Sequence, residues 1–138
     1  MLGLDTERYL SRAYYMDTLI KANILELTQL RAIAESVTSA LSADGRVQTK
    51  RHKDRIGGII AKLIDLERRI EADVDQYLVI KADIRARINR VEDPRLKVIL
   101  LRRYVIFDKW YEIADGLGID ERYLYKLHKK AVKEFDKI

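Results

Sequence analysis

Two long stretches of this sequence repeat apolar residues in alternating steps of three and four, a spacing that suits long paired helices. In the first stretch Tyr9, Ala13, Met16, Ile20, Asn23, Leu27, Leu30, Ala34, Val37 and Leu41 recur at that spacing throughout, as in the seam of a coiled coil. Asn23 is its one strongly polar member. A lone Asn there either fixes register or partner number, or sits at a solvated edge. Leu19, Ile24, Leu25 and Ile33 widen the stripe, which predicts packing against more than one neighbour.

The stretch from Ser42 to Lys53 breaks the pattern with the turn pair Asp44-Gly45 and the basic run Lys50-Arg51-His52-Lys53. That run reads equally as a solvated loop or as a secondary phosphate contact. A second helix is expected from about Asp54 to Arg90. Its seam is Ile56, Ile59, Leu63, Leu66, Ile70, Val74, Tyr77, Ile84, Ile88 and Val91, with a 4-4 stutter around Ile70 that locally unwinds a supercoil. Each helix is expected to span roughly 36 residues, about 55 Å at 1.5 Å per residue. Joined by a short turn they form a long antiparallel helical hairpin over residues 1–92. Such a hairpin leaves apolar surface to be covered by the C-terminal module or by a second copy.

Composition narrows the functional classes. Among 138 residues there is one Pro, six Gly and no Cys. That combination disfavours an all-β fold, a disulfide framework, a thiolate zinc site and a cysteine nucleophile. No run of 18 apolar residues suggests a membrane helix, and the N-terminal segment does not read as a secretory signal. The expected protein is soluble, largely helical and from a reducing compartment. Net charge is +5, spread unevenly: residues 1–44 carry four basic and six acidic side chains, 45–92 twelve and eight, 93–138 eleven and eight. A basic surplus suits an anionic partner.

Asp65, Glu67, Glu71, Asp73, Asp75 and Asp83 are interleaved with Arg68, Arg69, Lys81, Arg85 and Arg87, and Asp65–Arg69 and Asp83–Arg87 stand at i,i+4. This predicts surface ion pairs rather than carboxylate catalysis. With His52 and His128 the only histidines, neither a metal site nor a cofactor is expected, and the chain does not read as an enzyme.

The last 46 residues are more specific. Asp93-Pro94 signals a helix start, with Leu96, Ile99, Leu100 and Tyr104 pointing inward along Arg95–Tyr104. Asp108 is expected to cap a helix over Lys109–Gly116 that carries Trp110, Ile113 and Ala114, with Leu117 following. Gly118 supplies the positive φ of a tight turn, and Asp120 caps a final helix reaching about Asp136. The pattern Ile113-Ala114, Leu117-Gly118-Ile119, Leu124, Leu127 is that of a helix-turn-helix. In the final helix Leu124, Leu127, Ala131 and Phe135 form the inner stripe. Arg122, Tyr125, Lys126, Lys129, Lys130 and Lys133 lie opposite, a face suited to a major groove.

Ile99-Leu100-Leu101-Arg102-Arg103-Tyr104, Trp110-Tyr111-Glu112-Ile113-Ala114 and Leu117 through Leu127 together resemble sigma-70 region 4, the promoter-reading module of bacterial sigma factors. The run Leu124-Tyr125-Lys126-Leu127-His128-Lys129-Lys130-Ala131-Val132 is similar to the RinA- and ArpU-like regulators of phages and prophages. The resemblance covers residues 93–138. It implies base reading by Glu121, Arg122, Tyr125 and Lys126, with Lys129, Lys130 and Lys133 towards phosphates. Arg122 and Lys126 match guanine O6 and N7, and Glu121 matches cytosine N4. Tyr125 departs from the sigma pattern, where a long cation is usual, so a different target sequence is implied. Around Arg102, Arg103 and Tyr104 the resemblance implies contact with RNA polymerase. No region 2-like segment is present, so a complete sigma factor is not expected.

The expected protein is therefore all-α, a hairpin (1–92) for self-association followed by a DNA-binding helix-turn-helix module (93–138). It would be a sequence-specific transcriptional regulator of phage or prophage type that binds double-stranded DNA, as a dimer on two half-sites. Two other readings compete with it. One is a DNA-packaging recognition subunit resembling small terminases, which a ring of eight or more copies would favour. The other is a protein-only polymerase adaptor.

Overall fold

The alternating apolar spacing becomes helix along nearly its full length. A computed structural model describes residues 2–43 and 50–138, and among them every regular element is helical: α1 (Leu2–Ala43), α2 (Lys50–Ile88), α3 (Pro94–Tyr104), α4 (Trp110–Leu117) and α5 (Glu121–Asp136). The Asp44-Gly45 pair and the side chain of Leu41 lie outside the described residues. At 42 and 39 residues, α1 and α2 are somewhat longer than expected. The second helix begins at Lys50, not Asp54, so the run Lys50–Lys53 is helical rather than a loop. All four side chains there are exposed.

The chain divides into two compact units, Thr18–Asp75 and Met1–Asp17 together with Gln76–Ile138. The expected division after residue 92 does not coincide with this one, because the three short helices share a core with parts of both long helices.

In the unit Thr18–Asp75, α1 and α2 lie side by side and antiparallel. Leu27 and Arg31 stand across from Glu67, Ile70 and Glu71, while Ala34 and Thr38 stand across from Ile56 and Ile59. Arg31 and Glu67 close an exposed ion pair of 2.6 Å, which contributes little at the surface. The seam matches the sequence expectation: Ile20 and Leu27 are buried, and Asn23, Leu30, Ala34 and Val37 are half-buried. Leu19, Ile24, Leu25 and Ile33, expected to widen the packing, are exposed. No ion pair joins Asp65 to Arg69 among the described residues.

The other unit holds the larger core. Leu10 and Ala13 of α1 and Ile80, Ile84 and Ile88 of α2 pack with Leu96, Ile99 and Leu100 of α3, Ile113 and Ala114 of α4, and Leu124, Leu127, Ala131 and Phe135 of α5. Burying a side chain such as Ile84 contributes about 1.5–3 kcal/mol, so the long helices anchor the short ones. Ile80 belongs to this core although the sequence seam passed over it. Arg87, expected to pair with Asp83, instead lies over the rings of Phe135 and Tyr9, at 4.5 and 4.7 Å.

Candidate nucleic-acid interface

Side-chain caps start α3 and α5, and a glycine turn ends α4. Asp93 caps α3 by accepting from the Arg95 backbone N–H at 2.9 Å. That bond, with the adjacent Arg95 guanidinium, holds the Asp93 carboxyl below the usual carboxylate range. Asp120 caps α5 by accepting from the Tyr123 N–H at 2.7 Å. Gly118, at φ 66° and ψ 33°, closes α4 in the left-handed region. The Ile119 N–H donates to the Ala114 carbonyl and the Gly118 N–H to Asp115, the paired bonds of a Schellman turn. α4 and α5 are thus joined by Gly118, Ile119 and Asp120 alone.

The α3–α4 connection differs from expectation. Lys109, not Asp108, occupies the cap position of α4, without a side-chain cap bond. The Asp108 carboxylate instead pairs with the Arg102 guanidinium at 2.7 Å, in a half-buried setting. Arg102 also donates to the Glu112 carbonyl at 3.4 Å and lies where a side chain at Gly116 would stand. Arg103 donates to the Asp108 carbonyl at 3.1 Å and stacks over Trp110 at 4.3 Å. Phe107 takes a left-handed φ of 70° in this connection, which no sequence signal marked. Arg102 and Arg103 therefore tie α3 to α4, and Tyr104 is buried.

α5 separates into two faces. Leu124, Leu127, Ala131 and Phe135 are buried as expected, and His128 and Val132 join them. Glu121, Arg122, Tyr125, Lys126, Lys129, Lys130 and Lys133 are all exposed. Among the described residues none of these five cations is held in an ion pair. Arg122, Lys126, Lys129 and Lys133 follow steps of four, three and four, so they form one ridge about 17 Å long at 1.5 Å per residue. Glu121 sits in the first turn, where the helix dipole favours an anion.

Tyr125 is held at the edge of this ridge. Its ring meets Trp110 edge-on, centroids 5.4 Å apart, and its hydroxyl donates to Glu121 at 3.4 Å. Trp110 also contacts His128, ring centroids 4.8 Å apart. Trp110 reads from the sequence as core; its role in fixing Tyr125 comes from its place between α3 and α5. On another side of α5, Lys130 and Lys133 line a cleft of about 930 Å³ with Arg90 and Arg95. Glu134 and Asp136 also line it, and Glu134 pairs with Lys137 at 3.3 Å. Such a surface can hold phosphates and present donors to a groove. Among the described residues no group of three or more His, Asp or Glu side chains is placed to hold a metal, and no helix is long and apolar enough to cross a membrane.

A family model described as "Protein of unknown function (DUF1492)" matches residues 36–136, a span that includes α3, α4 and nearly all of α5. No curated protein and no solved structure matches the chain.

Proposed function

We propose that this chain, which belongs to the DUF1492 family, is a sequence-specific DNA-binding transcriptional regulator of phage or prophage type that lays α5 in the major groove. The division of α5 carries this reading. One face is fully committed to the core, while the other presents five cations that, among the described residues, have no ion-pair partner. The tight Gly118 turn and the short α4 beside α5 support a helix-turn-helix, and the local sequence resembles sigma-70 region 4.

In this mechanism Lys129, Lys130 and Lys133 contact phosphates and set the register on the duplex, releasing counterions as they do so. Arg122 and Lys126 donate to guanine O6 and N7, and Glu121 accepts from cytosine N4. Tyr125, braced by Trp110, packs beside them. The Glu121–Tyr125 bond costs Glu121 part of its freedom, so a base contact by its carboxylate starts from a restrained side chain.

The test is binding of the purified chain to a library of duplexes in a salt series with competitor DNA. A single enriched sequence is expected, with affinity falling linearly in log[salt]. Binding without any preferred sequence would remove base reading from α5. Retention of no duplex at all would favour a protein-only adaptor.

A further inference from the structure

In the unit Thr18–Asp75, α1 has two seams. The inner one faces α2. On the opposite side Thr18, Ala22, Leu25, Gln29, Ala32 and Ser36 recur in strict steps of four and three, all exposed and none charged. In a chain that is 36% charged, an outward helix face ordinarily carries the charges. Along α2 the corresponding spacing, Asp54, Gly58, Ala61, Asp65, Arg68, Ala72 and Asp75, is exposed throughout, and four of these seven residues are charged. The outer seam of α1 is bordered by Leu19 and Ile33, 47% and 51% exposed, and contains Leu25 at 66%. A helix uncharged on both faces, with exposed Leu25 and its apolar neighbours on the outer one, is shaped to lie between two neighbours.

We infer that a second copy of this chain covers this face, α1 against α1, parallel and in register, as an interface that buries Leu25 against Leu25. Flanking charge selects the occupant. In a parallel coiled coil the residue just before one core position approaches the residue five places further along the partner helix, and such pairs set partner and orientation. Lys21 and Glu26 occupy those two positions, both exposed, and Lys21 also keeps an interaction within its own chain. A parallel copy thus brings Lys21 of each chain to Glu26 of the other, twice by symmetry. The core layers become Ala22–Ala22, Leu25–Leu25, Gln29–Gln29 and Ala32–Ala32, two longer layers between two small ones. The matched Gln29 side chains can hydrogen-bond to each other.

The inference goes beyond the DNA-reading proposal, and its test contains no DNA, so each can fail alone. Light scattering on the full chain at tens of micromolar should give twice the 16.2 kDa chain mass. Leu25→Glu should give the monomer mass with unchanged helical circular dichroism. The chain has no Cys, so Leu25→Cys reports register directly: mild oxidation should link it into a disulfide dimer, because the two Cα atoms must lie within about 7 Å for that bond. Ala61→Cys, at an exposed position of α2, should stay monomeric on a denaturing gel. A monomeric wild-type chain overturns the inference. So does a dimer that survives Leu25→Glu, or one that links through Ala61→Cys and not through Leu25→Cys.

Discussion

The Tyr104 hydroxyl on α3 lies 2.6 Å from Nε2 of His128 on α5, and both residues are buried. Burial holds His128 down to about 4, with the nearby Arg103 charge acting in the same direction. Burial also raises Tyr104. The imidazole is therefore neutral near pH 7, and it shares one hydrogen bond with the hydroxyl whose direction follows the imidazole tautomer. This one bond links the first and last helices of the three-helix module.

Its pH signature has a definite sign. An unfolded histidine takes up a proton near 6.5 and folded His128 near 4, so between those values the unfolded state binds more protons. The stability from neutral His128 is fully present above about pH 6.5 and is lost progressively towards about pH 4. The loss is on the order of 3 kcal/mol. Urea unfolding at pH 7.5 and at steps down to pH 4.5 should show it, and His128→Gln should remove most of the slope in that window.

Tyr104→Phe keeps the ring and removes the hydroxyl, leaving a buried Nε2 without its partner. It should cost about 1–3 kcal/mol in urea unfolding at pH 7.5. A cost near zero would mean that the pair makes no net contribution to the core.

Gly118→Ala should destabilise by about 1–2 kcal/mol, because φ of 66° is strained for a residue with a Cβ. A Cβ there meets nothing within 4 Å, so the cost is conformational rather than steric. Gly118→Asn, which tolerates the left-handed region better, should cost less.

The core shared between α2 and the short helices predicts that residues 93–138 alone are much less stable than the same residues in the full chain. Ile84 is fully buried, and Ile84→Ala should cost about 2–5 kcal/mol and loosen α5 as well as α2. Hydrogen exchange of α5 amides in that variant is the readout. Unchanged α5 protection would separate the two.

The sequence made the helical class, the inner seams and the two faces of α5 legible, because each depends on spacing along one helix. Gly118 and Asp120 were legible for the same reason: their roles involve neighbours a few residues away. What escaped depends on partners distant in the chain. Asp108 has the form of a cap, yet Arg102 recruits its carboxylate across the turn. His128 sits among lysines, yet Tyr104 and Trp110 enclose it. Ile80 breaks the seam spacing because the core it joins is built from five helices rather than two. Leu19, Leu25 and Ile33 were legible as apolar but not as exposed, since among the described residues no element covers them.

The most direct test of the DNA-reading account is a paired comparison of Arg122→Ala and Lys133→Ala on the duplex selected by the wild-type chain, each titrated across a salt series and against a scrambled duplex. Arg122→Ala should weaken binding to the selected duplex by about 1–3 kcal/mol and lower its preference over the scrambled one. Lys133→Ala should weaken both duplexes alike and reduce the salt slope by about 1. If Arg122→Ala leaves both affinity and preference at wild-type values, α5 does not read bases through this face, and the account is contradicted.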